Sequence, residues 1–123
     1  DVSGRNLQFK HQQWYRGKSL DGYTPMGPCI VTEDDIGDAH DLEIRCYVND
    51  ELRQESNTKY MITTVEEAIS ELSRGMMLKA GTIIATGTPG GVGMGMKPQV
   101  YLKSGDVIRC EIEGIGSLVN TVG

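Results

Sequence analysis

Leu42-Glu43-Ile44-Arg45-Cys46-Tyr47-Val48-Asn49-Asp50-Glu51-Leu52-Arg53-Gln54-Glu55-Ser56 is the stretch whose reading decides the fold. Leu42, Ile44, Cys46 and Val48 alternate with Glu43, Arg45 and Tyr47, the period of two that puts one face of a strand on apolar surroundings and the other in water. Asn49-Asp50 is a tight-turn dipeptide, and the polar segment that returns from it predicts a hairpin with an exposed edge strand.

Downstream, Thr64-Val65-Glu66-Glu67 has the form of a capping box, in which Thr64 caps the backbone and Glu67 reaches back to it. Val65, Ala68, Ile69 and Leu72 follow at helical spacing, and Arg74-Gly75 supplies a C-terminal charge and glycine. This is the one clear helix, and Met76 and Met77 after it read as fillers of core gaps. Thr82-Ile83-Ile84-Ala85-Thr86 is a β-branched run expected to form a buried central strand. It empties into Gly87-Thr88-Pro89-Gly90-Gly91-Val92-Gly93-Met94-Gly95, a loop whose backbone amides could approach an anion. Its glycines do not match G-x-G-x-x-G, and no helical pattern follows, so a dinucleotide site is excluded. Lys103 to Asp106 turns into an alternating strand from Val107 to Glu113, and Ser117 to Val122 can pair as a last strand. Glu111 and Glu113 have chelating spacing, but Arg109 shares their face, which favours a salt-bridged wet surface.

Upstream, Cys29-Ile30-Val31-Thr32 reads as a short apolar strand ended by a polar turn over Thr32 to Asp38. Glu33, Asp34 and Asp35 lack the spacing of a calcium loop, and His40 is expected to face solvent. The most heavily punctuated stretch is Trp14 to Pro28, where Lys18 sits between Gly17 and Ser19. Asp21 is placed to accept backbone N–H bonds there, and Pro25, Gly27 and Pro28 set the exit. By residues alone this is either a solvated basic turn or a loop that presents an ammonium to a ligand. It is not a P-loop, because position 12, where that motif needs glycine, is Gln12. Arg5, Gln8, His11 and Gln12 would lie near one face of a helix.

The chain has 123 residues, enough for one domain with a single core. A net charge of −5 and the absence of a basic stripe argue against nucleic-acid binding. No apolar run approaches the roughly 20 residues that span a bilayer, and no secretory signal opens the chain, so a cytoplasmic protein with no membrane partner is expected. The three cysteines, Cys29, Cys46 and Cys110, have no C-x-x-C spacing and read as small buried hydrophobes. Glycine, at 16 of 123 residues, is far above its usual share of about 7%. The order of elements predicts an α+β chain rich in strands rather than alternating βαβ units.

Three blocks resemble one family. Asp1-Val2-Ser3-Gly4-Arg5-Asn6-Leu7-Gln8 is similar to its D-V-S-A-R-D-L-Q segment. Arg16-Gly17-Lys18-Ser19 with Asp21, Pro25, Gly27 and Pro28 resembles its R-G-K-S-x-D-x-x-x-P-x-G-P loop, and Thr86 to Gly93 resembles its T-G-T-P-x-G-V-G loop. The chain is thereby identified as a member of the fumarylacetoacetate hydrolase family, covering the C-terminal part of its catalytic domain. Residues 1–123 would form a single domain within a longer polypeptide, since the chain opens on an aspartate. The resemblance implies a mixed β-sheet or β-roll with one main helix, and a homodimer.

It also implies Mg2+, with Mn2+ or Ca2+ as substitutes, held by Asp1 and an E-x-E pair upstream of it. Lys18 would neutralise the enolate that develops on a small oxo-acid substrate, Gln8 would hydrogen-bond that substrate's oxygens, and Thr88 would hold its far end. Gly4 and Asn6 depart from the usual Ala and Asp. The His-Glu dyad of the family is not supplied by His11 or His40, and Glu111 and Glu113 are not promoted to ligands. The expected activity is metal-dependent hydrolysis of a C–C bond in an acylpyruvate or fumarylacetoacetate-type acid. Isomerisation or decarboxylation of an oxo-diacid such as 2-hydroxyhepta-2,4-diene-1,7-dioate is the alternative, and a non-catalytic fragment or scaffold is the rival from another class.

Overall fold

Asn49 and Asp50 both have positive φ, 50° and 64°, the geometry that lets a two-residue turn follow the right-handed twist of its strands. They join β1 (Glu43–Val48) to β2 (Glu51–Asn57). The other strands are β3 (Val107–Ile112) and β4 (Gly116–Thr121), and the sheet order is β2-β1-β3-β4. All three pairings are antiparallel, and β2 is an edge, as its polar sequence predicts. The computed structural model describes residues 1–10 and 13–123; His11 and Gln12 lie outside the described residues, so the expected polar face is tested only for Arg5 and Gln8.

Register decides what each face carries. Cys46 sits opposite Gln54 and Cys110, and Cys110 opposite Leu118, so one face takes Ile44, Cys46, Val48, Ile108 and their partners. The other is charged. Arg45 donates to Glu55 at 2.9 Å and to Glu43 at 2.6 Å. The Arg109 guanidinium lies 3.9 Å from the Tyr47 ring centroid and pairs with Glu111, a stacked cation with its counter-ion. Glu113 accepts from the Glu43 N–H at 3.1 Å. The E-x-E pair is thus engaged within the sheet surface.

Helix α3 (Val65–Ser73) follows β2, and its capping box is present in both directions between Thr64 and Glu67. His40 does not simply face solvent: its Nε2 accepts the Val65 N–H at 3.1 Å, satisfying one of the donors that a helix start leaves free. The polar turn after Thr32 is instead a one-turn helix, α2 (Glu33–Ile36), and its carboxylates occupy the favourable end of the helix dipole.

Two expected strands are not formed. Residues 29–32 and 82–86 lie outside the ladder, and among the described residues no backbone hydrogen bond reaches 83–86. Apolar β-branched sequence supplies extended shape, but a strand also needs a partner for its N–H and C=O groups. The segment around residues 27–36 packs instead on the β3–β4 turn, where Ile36 approaches Gly114 and Pro28 approaches Gly116. Nor is there a filled core: among the described residues no apolar side chain is buried, and Ile83 and Met77 are 64% and 83% exposed. A single sheet layer with loops on it lacks the second layer against which an apolar face is buried.

Candidate functional site

The loop around Lys18 is held by the first residues of the chain. Val2 N–H donates to the Tyr23 carbonyl at 2.9 Å and Gly4 N–H to the Gly17 carbonyl at 2.8 Å. Helix α1 (Arg5–Lys10) starts directly after this tie. Six residues are too few for a helix to persist alone, and α1 is stabilised by packing on the 3-10 helix Trp14–Lys18. Phe9 meets Trp14 edge to face, with ring centroids 6.1 Å apart. Closer still, a Cβ on Gly17 would lie 2.8 Å from the Gln8 Cβ and backbone N. Only glycine admits this approach.

That contact closes over Gln8, the one fully buried side chain among the described residues. Arg5 Nη1 donates to Gln8 Oε1 at 2.7 Å, which fixes the amide with its nitrogen pointing away from Arg5. Gln8 Nε2 is buried and has no hydrogen-bond partner among the described residues. Leaving such a donor unpaired costs about 1–3 kcal/mol, which makes it a feature that needs an acceptor.

The Lys18 Nζ donates to Asp1 Oδ2 at 2.7 Å and to Ser3 Oγ at 2.9 Å, and its side chain is 35% exposed. Asp1, Lys18 and Gln8 are therefore assembled by one pair of touching elements, although they are up to 17 positions apart in sequence. Ser3 joins them without having been singled out. Its signal was its place two residues after Asp1 in an extended start, which puts both side chains on one side of the ribbon. Asp21 forms no hydrogen bond among the described residues, and the loop is tightened instead by Ser19 Oγ donating to the Tyr15 carbonyl at 2.7 Å.

Thr88 is held separately. Gln54 on β2 donates from Nε2 to Thr88 Oγ1 at 2.7 Å and to the Pro89 carbonyl at 2.9 Å. The glycines that follow allow backbone to meet backbone: a Cβ on Gly91 would stand 2.1 Å from the Arg53 carbonyl oxygen, and one on Gly93 1.8 Å from that of Val100. In sequence Gln54 is only one residue of a polar edge strand. Its clamp on the glycine-rich loop joins residues 34 positions apart, and no local pattern announces it.

Asp1 offers hard oxygen, the donor type that Mg2+ takes. Among the described residues, however, no group of three or more His, Cys, Asp or Glu side chains could hold a metal ion. These residues supply one carboxylate and do not by themselves make a dication site.

The family model described as fumarylacetoacetate (FAA) hydrolase C-terminal matches residues 1–123. The chain belongs to the fumarylacetoacetate hydrolase family. It is 47% identical over 123 residues to a mitochondrial oxaloacetate tautomerase of Rattus norvegicus, covering 99% of this chain and 39% of that protein. A fumarylacetoacetate hydrolase from psychrophilic Exiguobacterium antarcticum has 57% identity and a TM-score of 0.94, over 98% of this chain and 43% of that one. A maleylpyruvate hydrolase from Sphingobium sp. SYK-6, solved with manganese(II) and pyruvate, has 37% identity and a TM-score of 0.79 over 87% of this chain and 38% of that one. The chain thus spans about two fifths of the length of these family members. The strand-rich α+β architecture expected from sequence is that of the family's C-terminal domain. No helix among the described residues is long and apolar enough to cross a membrane.

Proposed function

We propose that the full-length protein is a keto–enol isomerase of a small 2-oxo dicarboxylic acid such as oxaloacetate. The observation that carries this reading is the pairing of a held ammonium, Lys18 on Asp1 and Ser3, with a buried amide donor, Gln8 Nε2, that has no partner among the described residues. Removing a proton from the carbon beside a 2-oxo group places negative charge on the oxo oxygen. Donors already aimed at that oxygen lower the barrier because they need no reorganisation. Lys18 serves as electrophilic stabiliser, not as nucleophile. Gln8 donates to a substrate oxygen, oriented by Arg5, and Thr88 holds the far end of the substrate on the loop that Gln54 clamps.

A Mg2+ or Mn2+ ion with Asp1 among its oxygen ligands would add Lewis-acid charge at this position. The remaining ligands, and the group that moves the proton, we assign to polypeptide outside residues 1–123. The manganese and pyruvate bound to the Sphingobium relative support both the cation and the 2-oxo acid. Homodimerisation and a cytoplasmic location belong to the same proposal, while the rat relative is named mitochondrial.

Hydrolysis of a C–C bond is the second reading, favoured by the hydrolase names of the Exiguobacterium and Sphingobium relatives. It uses the same enolate stabilisation but adds attack of water on a second carbonyl. Isomerisation is placed first because relatives named oxaloacetate tautomerase from rat and Bacillus subtilis match essentially the whole chain at 47% identity. The decisive experiment follows decay of the oxaloacetate enol absorbance by the full-length protein with and without EDTA, alongside acylpyruvate cleavage. Accelerated decay that EDTA abolishes and Mg2+ restores is expected. Cleavage without tautomerisation would hand the assignment to the hydrolase reading, and neither activity would leave a binding scaffold.

A further inference from the structure

Cys46 and Cys110 face each other across β1 and β3, with their Sγ atoms 3.8 Å apart. The Asn49 N–H donates to the Val107 carbonyl and the Glu113 N–H to the Glu43 carbonyl, so the odd-numbered residues of β1 form the hydrogen-bonded pairs. Cys46 and Cys110 therefore belong to the alternate class, in which Cα atoms approach to about 4.5 Å and side chains are closest. That distance lies within the range a disulfide bridges, about 4.4–6.8 Å.

The two sulfurs are the largest influence on each other's ionisation. By register, the neighbours on this face are Gln54 beside Cys46 and Leu118 beside Cys110, and the adjoining pairs are Ile44 with Ile112 and Val48 with Ile108. None of these is charged, because Arg45, Glu55, Arg109 and Glu111 alternate onto the other face; Glu51 lies opposite Val48 and is paired with Arg53, and the Asp1 ammonium adds a smaller lowering to both thiols. The hydrogen bond shared between the two sulfurs brings the Cys110 thiol down to about 6, and the same bond together with burial pushes the Cys46 thiol up. A thiolate beside a retained thiol is the reactive form of a dithiol.

We propose that Cys46 and Cys110 are an oxidation site, converted by a hydroperoxide into a reversible cross-strand disulfide. The Cys110 thiolate attacks the peroxide oxygen, breaking the O–O bond and releasing an alkoxide that takes up the proton Cys110 had lost. The Cys46 sulfur then displaces hydroxide from the resulting sulfenic acid, and the Cys46 proton leaves with it as water. Two thiols and one hydroperoxide give a disulfide, an alcohol and water. Because Cys46 is also the register partner of Gln54, the new bond forms one strand away from the clamp on Thr88.

The test is made on full-length protein treated with hydrogen peroxide, blocked with iodoacetamide and mapped by peptide mass. A Cys46–Cys110 linked peptide that disappears with dithiothreitol is expected, with Cys29 still alkylated. In the reduced protein, alkylation of Cys110 at pH 6 should slow about tenfold in Cys46→Ala, the change expected for a thiol returning toward its ordinary value of about 8.5. Cys46→Ser provides a second variant of nearly unchanged size, in which the linked peptide must be lost. Both thiols remaining alkylatable after peroxide, or peroxide yielding only sulfinic acid or intermolecular links, overturns the proposal.

Discussion

The Lys18 ammonium and the Asp1 carboxylate meet at 2.7 Å across 17 positions of sequence. Both side chains remain partly exposed, so the pair is not a deeply buried ion pair whose role is to specify the fold. Its geometry suits a cation kept in place for incoming negative charge. Replacing Lys18 with Ala should lower kcat about 10²- to 10³-fold, the scale for removing one preorganised donor from an oxyanion site. KM should change much less, because in the proposed role the charge that Lys18 meets develops mainly after binding. Steady-state kinetics of full-length wild type and variant with the enol substrate check this, and an unchanged kcat removes Lys18 from the chemistry.

Gly17 should tolerate no side chain. In Gly17→Ala the added methyl group would stand 2.8 Å from both Cβ and backbone N of Gln8, neither of which is the movable end of a flexible chain. Overpacking of this kind costs about 1–3 kcal/mol, and it displaces the Gln8 amide that the proposal assigns to the substrate. Thermal unfolding should show a lowered Tm, and kinetics a raised KM. Gly22→Ala is a fair control for nearby loop strain, since a Cβ there meets nothing within 4 Å, although its φ of +76° still penalises Ala.

How much of this was legible beforehand follows from the range over which each interaction acts. The β1–β2 hairpin, the Thr64 capping box and the turn at Lys103–Asp106 are written within a few residues, and all three are present. The strands expected over residues 29–32 and 82–86 depended on partners that composition does not name, and neither joins the ladder. Lys18 stands out locally by its small neighbours Gly17 and Ser19 and Gln8 by its place on a polar helical face, whereas Asp1 and the roles of all three are legible only through the family resemblance. Their contacts with Ser3, Arg5 and Gly17 emerge only when α1 packs on the next helix. His40 at the start of α3 and Gln54 on Thr88 are long-range side-chain contacts of the same kind.

Gln54 should control the order of the loop that carries Thr88. Its Nε2 serves Thr88 Oγ1, the Pro89 carbonyl and, at 3.4 Å, the Gly90 carbonyl. In Gln54→Ala these acceptors turn to water, at a net cost of about 1 kcal/mol per good bond lost. Amide hydrogen exchange over residues 87–93 should accelerate while exchange in β1 and β3 stays unchanged, and KM should rise more than kcat falls. Exchange rates identical to wild type in that loop would show that the backbone contacts of Gly91 and Gly93 hold it without the clamp.

Asp106 should contribute to the acid limb of stability. It accepts from Asn49 Nδ2 at 2.9 Å and from the Lys103 N–H at 2.8 Å, and these bonds, the Asn49 one foremost, hold its carboxyl below the usual value of 3.8. A depressed folded-state value means that the unfolded chain takes up the proton first as acid is added. The contribution is therefore complete above about pH 5, begins to fall near the ordinary carboxyl value, and is lost as pH drops through the folded-state value. Because Asn49 also closes the β1–β2 turn and its Oδ1 accepts the Val107 N–H at 2.9 Å, the carboxylate helps join that turn to the start of β3. Asp106→Asn retains an acceptor but cannot ionise, so its Tm deficit relative to wild type should be largest at neutral pH and shrink steadily on titration toward pH 2.5. A deficit of constant size across that range would mean that the hydrogen bonds alone, and not the charge on Asp106, stabilise this corner.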